Sequence, residues 1–196
     1  MVLLHGRGAS AEDILGLTDH LPRERVAYVA PQAAGHTWYP ERFTEPIERN
    51  EPWLSSALAL VERIIDEVIA AGIPAERIGL LGFSQGACLA LEFAARHPRR
   101  YGGVFALSGG LIGPPGTVWD DRGSLGGTPV FLGCSDVDSH IPAERVIESG
   151  ERMRELGAEV EVRLYPGMGH TINRDELDII RRGVERMVAA DPAPLE

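Results

Sequence analysis

The sequence predicts an α/β domain: a mainly parallel sheet of about six strands, with helices on both faces. Three observations carry this expectation. Short runs rich in Val, Leu, Ile and Phe alternate with segments of helical period, the pattern of strands joined by crossover helices. The chain has 196 residues, which suits one domain with one sizeable core. No internal repeat, linker or low-complexity stretch divides it.

The elements follow in order. Val2-Leu3-Leu4-His5 reads as a buried strand stopped at Gly6, and 11–21 as a helix capped by Ser10. Residues 25–30 read as the next strand, before a loop over 31–52 rich in Pro, Gly and aromatics. Leu54, Leu58, Val61, Ile65, Val68 and Ile69 keep the clearest helical rhythm, ended by Gly72-Ile73-Pro74. Strands follow at 78–82, 103–107, 129–133 and 160–165. The intervening helices run from Gln85 to His97 and from Pro142 to Leu156. Asn173 caps a last helix whose face is Leu177, Ile180, Val184 and Met187. Residues 1–190 are thus expected to form the domain. Residues 191–196 lack periodicity and read as a tail whose final Leu-Glu resembles a vector remnant.

Composition narrows the function. Hydrophobic residues make up 44% and charged residues 24%, and the formal net charge is −10. An acidic balance argues against nucleic acid or an anionic membrane surface as partner. All 19 basic residues are arginine, which excludes Schiff-base lysine, Ser-Lys and P-loop chemistry. Cys88 and Cys134 lie in apolar or glycine-rich flanks and read as buried free thiols, not as a disulfide framework or zinc site. No metal and no cofactor is expected. No apolar run approaches a membrane span and no signal peptide is visible, so a cytoplasmic location is expected.

The chemistry centres on Gly82-Phe83-Ser84-Gln85-Gly86, a G-x-S-x-G sequence between a predicted strand and a predicted helix. In that context the tight turn lifts the serine Oγ above the sheet, and the two glycines let strand and helix approach. The helix N-terminus faces any negative charge that forms beside Ser84. A serine hydroxyl needs a base. Of the six histidines, His170 directly follows the last strand, the third place in the chain order Ser, Asp, His. His20 and His97 sit at helix ends, while His36 and His140 are in loops that could line a cleft. The acid must follow the strand 129–133, where Asp136 and Asp138 both qualify. Asp120 and Asp121 come too early and read as a solvated turn. His5-Gly6-Arg7-Gly8 ends the first strand, and the backbone N–H groups of Arg7 and Gln85 can face an oxyanion.

Together these pieces resemble the phospholipase/carboxylesterase branch of the α/β-hydrolases, which includes acyl-protein thioesterases and small bacterial carboxylesterases. The resemblance rests on Leu4-His5-Gly6-Arg7-Gly8, Gly79 to Ala87, Leu107-Ser108-Gly109-Gly110, Gly133-Cys134-Ser135-Asp136 and Tyr165 to His170, in that order. It implies a cofactor-free esterase without a large cap domain. The chain departs from the family in three ways. It starts directly at the His-Gly strand, where relatives carry a preceding hairpin, so a sheet edge is expected to be bare or covered in a homodimer. It has Leu132-Gly133 where relatives often have His-Gly. Its acid loop is also longer: Gly133-x-x-Asp136 fits the family spacing from the strand side, and Asp138-x-x-Ile141-Pro142 fits it from the helix side. Since the strand is the rigid element, Asp136 is the favoured acid, with Asp138 left to structure the loop, line the pocket or face water.

The expected activity is hydrolysis of short-chain carboxylic esters or thioesters through an acyl-enzyme on Ser84. The expected site is Ser84, Asp136 and His170, with Arg7 and Gln85 N–H as the oxyanion hole. Trp38, Tyr39, Phe43, Trp53 and Trp119 are candidates for the pocket wall or for core anchors. Two alternatives stay open: a lactone or dienelactone hydrolase, and a binding protein that keeps the fold without catalysis.

Overall fold

A computed structural model describes residues 1–120 and 122–189; Asp121 and residues 190–196, which include the expected tail, lie outside the described residues. Five parallel strands form one sheet in the order β1-β2-β3-β4-β5: Val2–Leu4, Gly79–Phe83, Gly103–Leu107, Pro129–Ser135 and Glu159–Tyr165. The helices are α1 (Ala11–Leu15), α2 (Trp53–Ala70), α3 (Gln85–Arg96), α4 (Ala143–Glu155) and α5 (Arg174–Ala189).

Successive strand side chains point to opposite faces, and both faces are covered. Leu4, Leu80, Val104, Ala106, Val130 and Leu132 join the larger core, together with residues of α2, α3 and α4. Leu3, Leu81, Phe105, Leu107 and Phe131 face Ile14 of α1 and Ile179, Ile180, Val184 and Met187 of α5. The rhythm of α2 is the physical cause of its place: Leu54, Leu58, Val61 and Ile65 lie on one buried face. Gly72 ends that helix at φ 94°, with Gly72 N–H donating to Ile69 O and Ile73 N–H to Val68 O. This is the paired bonding of a left-handed helix stop, and Pro74 prevents its extension.

Two expected elements differ. Residues 25–30 do not form a sixth strand. Val29 makes a single parallel bridge to Val2, through Leu3 N–H to Val29 O (2.8 Å) and Val29 N–H to Met1 O (2.9 Å). Arg25 has φ 61° at one end of this segment, and Pro31 offers no N–H at the other, so the ladder cannot propagate. The chain itself therefore lies along part of the outer edge of β1. The first helix is α-helical only to Leu15 and continues as a 3₁₀ turn over Gly16–His20. Its start is as expected: Ser10 caps it, in a reciprocal box with Asp13.

β4 also runs two residues beyond its expected end. The ladder with β5 continues from Gly133↔Arg163 through Cys134↔Leu164 to Ser135↔Tyr165. That extension shifts the position of the acid loop.

Candidate active site

Ser84 stands between β2 and α3 at φ 55° and ψ −120°, a conformation that costs a non-glycine residue energy and persists where its surroundings impose it. The neighbouring glycines make the close approach possible. A Cβ on Gly86 would lie 2.0 Å from Leu4 O, and one on Gly82 would lie 2.2 Å from Gly86 O. Ser84 N–H donates to Leu107 O at 2.9 Å, which ties the turn to the end of β3.

His170 lies on the loop after β5. Its Nε2 is 2.9 Å from Ser84 Oγ, and its Nδ1 is 2.7 Å from Asp138 Oδ2. An ionised carboxylate only accepts, so Nδ1 carries the proton and Nε2 faces the serine as acceptor. The acid against His170 is therefore Asp138, which corrects the expectation of Asp136. Strand β4 takes up the two extra residues itself, so the insertion lies before the acid and the helix-side spacing sets the register. Asp136 supports the loop from below instead: its Oδ1 accepts Gly167 N–H at 2.8 Å, while Ser135 Oγ accepts Gly169 N–H at 3.0 Å.

The Asp138 side chain is fully buried in its ion pair with His170. Its Oδ1 accepts the N–H groups of His140 (2.8 Å) and Ile141 (3.1 Å). Burial pushes its pKa up, but the His170 hydrogen bond and these two N–H groups outweigh it, and the carboxyl sits below its usual value.

The backbone N–H groups of Arg7 and Gln85 have no acceptor among the described residues and flank the serine turn. Two side chains of this region have roles the sequence did not suggest. Gln85 accepts Trp38 N–H (2.9 Å) and the Thr37 hydroxyl (3.2 Å) through Oε1, and donates to Tyr39 O (2.8 Å) through Nε2. It thus fastens the 37–39 loop to the start of α3. His5 is buried, and its Nε2 accepts Ala33 N–H at 3.1 Å.

The serine opens into a cleft of about 400 Å³, whose walls include Tyr39, Phe43, Cys88 and Ile141. Of the five aromatic candidates, Tyr39 and Phe43 line it. Trp38 is in the core, Trp119 packs beneath Arg145, and Trp53 is 54% exposed. Among the described residues, none of loop 111–127 lines the cleft; His140 does, edge-on to His170 with ring centroids 4.7 Å apart. His36 instead sits with its Nδ1 2.9 Å from Ala9 O. Cys88 and Cys134 are buried free thiols, each pushed up to about 12, chiefly by burial. Among the described residues, no group of three or more His, Cys, Asp or Glu could hold a metal ion, and no helix is long and apolar enough to cross a membrane.

A strained serine turn between strand and helix, met by a histidine from the end of the sheet and an acid from the strand between, defines an α/β-hydrolase. The sequence model for Phospholipase/Carboxylesterase matches residues 1–187, and the chain belongs to that family. It is 29% identical to an acyl-protein thioesterase 1 of Eremothecium gossypii, over 98% of this chain and 90% of that one. It is 30% identical to an acyl-protein thioesterase 1 of Saccharomyces cerevisiae, over 69% of this chain and 60% of the yeast protein. A crystal structure of a phospholipase/carboxylesterase from Dyadobacter fermentans superposes with a TM-score of 0.90 at 44% identity, covering 94% of this chain and 88% of that one.

Proposed function

We propose that the protein is a cytoplasmic serine carboxylesterase that hydrolyses short-chain carboxylic esters or thioesters, with residues 1–190 as its single domain. The observation that carries this reading is the continuous line from Ser84 Oγ through His170 to Asp138, at 2.9 Å and 2.7 Å. Family membership and the likeness to carboxylesterases and thioesterases support it.

In this reading Ser84 Oγ attacks the ester carbonyl carbon while His170 Nε2 takes its proton. Asp138 holds the Nδ1–H tautomer and stabilises the imidazolium that forms. The carbonyl oxygen becomes an oxyanion and receives the N–H groups of Arg7 and Gln85. Collapse breaks the bond to the leaving group, which departs with the proton from His170 and leaves an acyl-serine. Water, deprotonated by the same nitrogen, then attacks the acyl carbon, releasing the acid and restoring Ser84. A cleft of about 400 Å³ favours short acyl groups.

The test is covalent. A fluorophosphonate probe should modify one residue, Ser84, as located by peptide mass spectrometry. Labelling should fail in His170→Ala. A folded protein that resists the probe, or carries it elsewhere, refutes the reading.

A further inference from the structure

The cleft carries a charge pattern that ester hydrolysis alone does not use. The chain is acidic, with a net charge of −10, yet the cleft is lined by two arginines and two histidines and by no Asp or Glu among the described residues. Arg7 is fixed there by Pro40 O (2.7 Å) and Glu41 O (2.6 Å). Both acceptors are neutral carbonyls, so the guanidinium keeps its full charge and has N–H donors to spare. Arg42 lies in the same loop, and its guanidinium has no hydrogen-bond or ion-pair partner among the described residues. The acids nearby are committed elsewhere: Glu41 and Glu45 face Arg49, and Asp138 faces His170. Two uncompensated guanidinium groups therefore share one concave surface with the reactive serine, in a molecule whose overall charge repels anions.

The topology separates the arginines from the catalytic imidazole. Arg7 follows β1, on one side of the serine strand β2, whereas His170 follows β5 on the other side. A leaving group must reach His170 Nε2 to take its proton, so it lies on the imidazole side. The arginine side then receives the acyl part.

Resting on the serine esterase reading above, we infer that the cleft selects esters whose acyl part ends in a carboxylate, the monoesters of short dicarboxylic acids, and that Arg42 and Arg7 receive that carboxylate. Guanidinium is suited to the task because its planar fork matches a carboxylate. Arg7, on the loop after β1, and Arg42, on the loop over 31–52, line the same cleft as Ser84, so a short diacid chain is the span the proposal calls for.

The test compares monoethyl glutarate with ethyl valerate, which has the same acyl chain length but no charge, by following ethanol release. The kcat/KM ratio of glutarate to valerate should exceed roughly tenfold in the native protein, and should fall by about that factor in Arg42→Gln, as loss of one charge-assisted contact implies. Arg42 is exposed, so the substitution leaves the core untouched. Arg186→Gln, on the far helix α5, should leave the ratio as it is. Equal turnover of the two esters, or a preference that survives in Arg42→Gln, overturns the inference and leaves the esterase reading standing. Hydrolysis of neither ester, with Ser84 unlabelled by the fluorophosphonate, overturns both.

Discussion

Glu176 Oε1 fills the space beside Gly133 that a side chain would need: a Cβ on Gly133 would lie 2.2 Å from it. Glu176 is completely buried near the N-terminus of α5, where its Oε2 accepts Asn173 N–H at 2.8 Å and its own N–H donates to Asn173 Oδ1 at 2.9 Å. Oε1 has no partner. The glutamate thus wedges the start of α5, just beyond the His170 loop, against the strand that leads to Asp138. Gly133→Ala should destabilise the fold by roughly 1–3 kcal/mol through this clash. Denaturant unfolding measures it, and native stability in that variant would show that the wedge can move.

The same carboxyl makes stability depend on pH. Burial, partly offset by the Asn173 hydrogen bond, pushes Glu176 up to about 7 from an ordinary 4.5. Between those values the folded chain holds a proton that the unfolded chain has released. Stability therefore falls as pH rises through this window, and the loss is complete above the folded value. Glu176→Gln removes the titration, so it should gain on the native protein by about 1–3 kcal/mol between pH 5 and pH 8. Melting curves at the two pH values check this; a constant difference between the proteins would contradict it.

Asp138→Asn should lower kcat by up to about 10⁴-fold, because an amide against Nδ1 can favour the wrong histidine tautomer. Asp136→Asn should cost far less, since the Asp136 carboxylate accepts from the Gly167 backbone N–H and not from His170. Steady-state kinetics of the two folded variants decide it, and the reverse ranking would move the acid to Asp136.

Gln85→Ala keeps the backbone N–H proposed for the oxyanion hole but removes three hydrogen bonds to residues 37–39. Loosening that loop should lower kcat/KM by roughly 10-fold to 100-fold, since small displacements of positioning groups are costly. Unchanged kinetics would show that the loop holds itself.

The sheet, its helices, the serine turn and His170 were legible because each rests on a local signal: apolar runs, the rhythm of α2, and glycines flanking Ser84. The sequence assigned the acid wrongly because strand length is not local. Nothing within Cys134-Ser135-Asp136 tells that β5 offers paired residues as far as Tyr165, and this pairing extends β4 and displaces the loop. Residues 25–30 failed for a related reason. Their composition suits a strand, but the backbone at Arg25 and Pro31 leaves room for one bridge. The roles of Gln85 and Glu176, and the one proposed for Arg42, depend on contacts or gaps made across the fold, which no window of sequence contains.

The most direct test of the account is the turnover of 4-nitrophenyl acetate by Ser84→Ala, with its fold verified by circular dichroism and melting. The native protein should hydrolyse this ester and the variant should lose about 10⁴-fold or more of the enzyme-dependent rate, because Oγ is the atom proposed to form the acyl-enzyme. Retention of most of the rate by a folded Ser84→Ala protein would contradict the account at its centre.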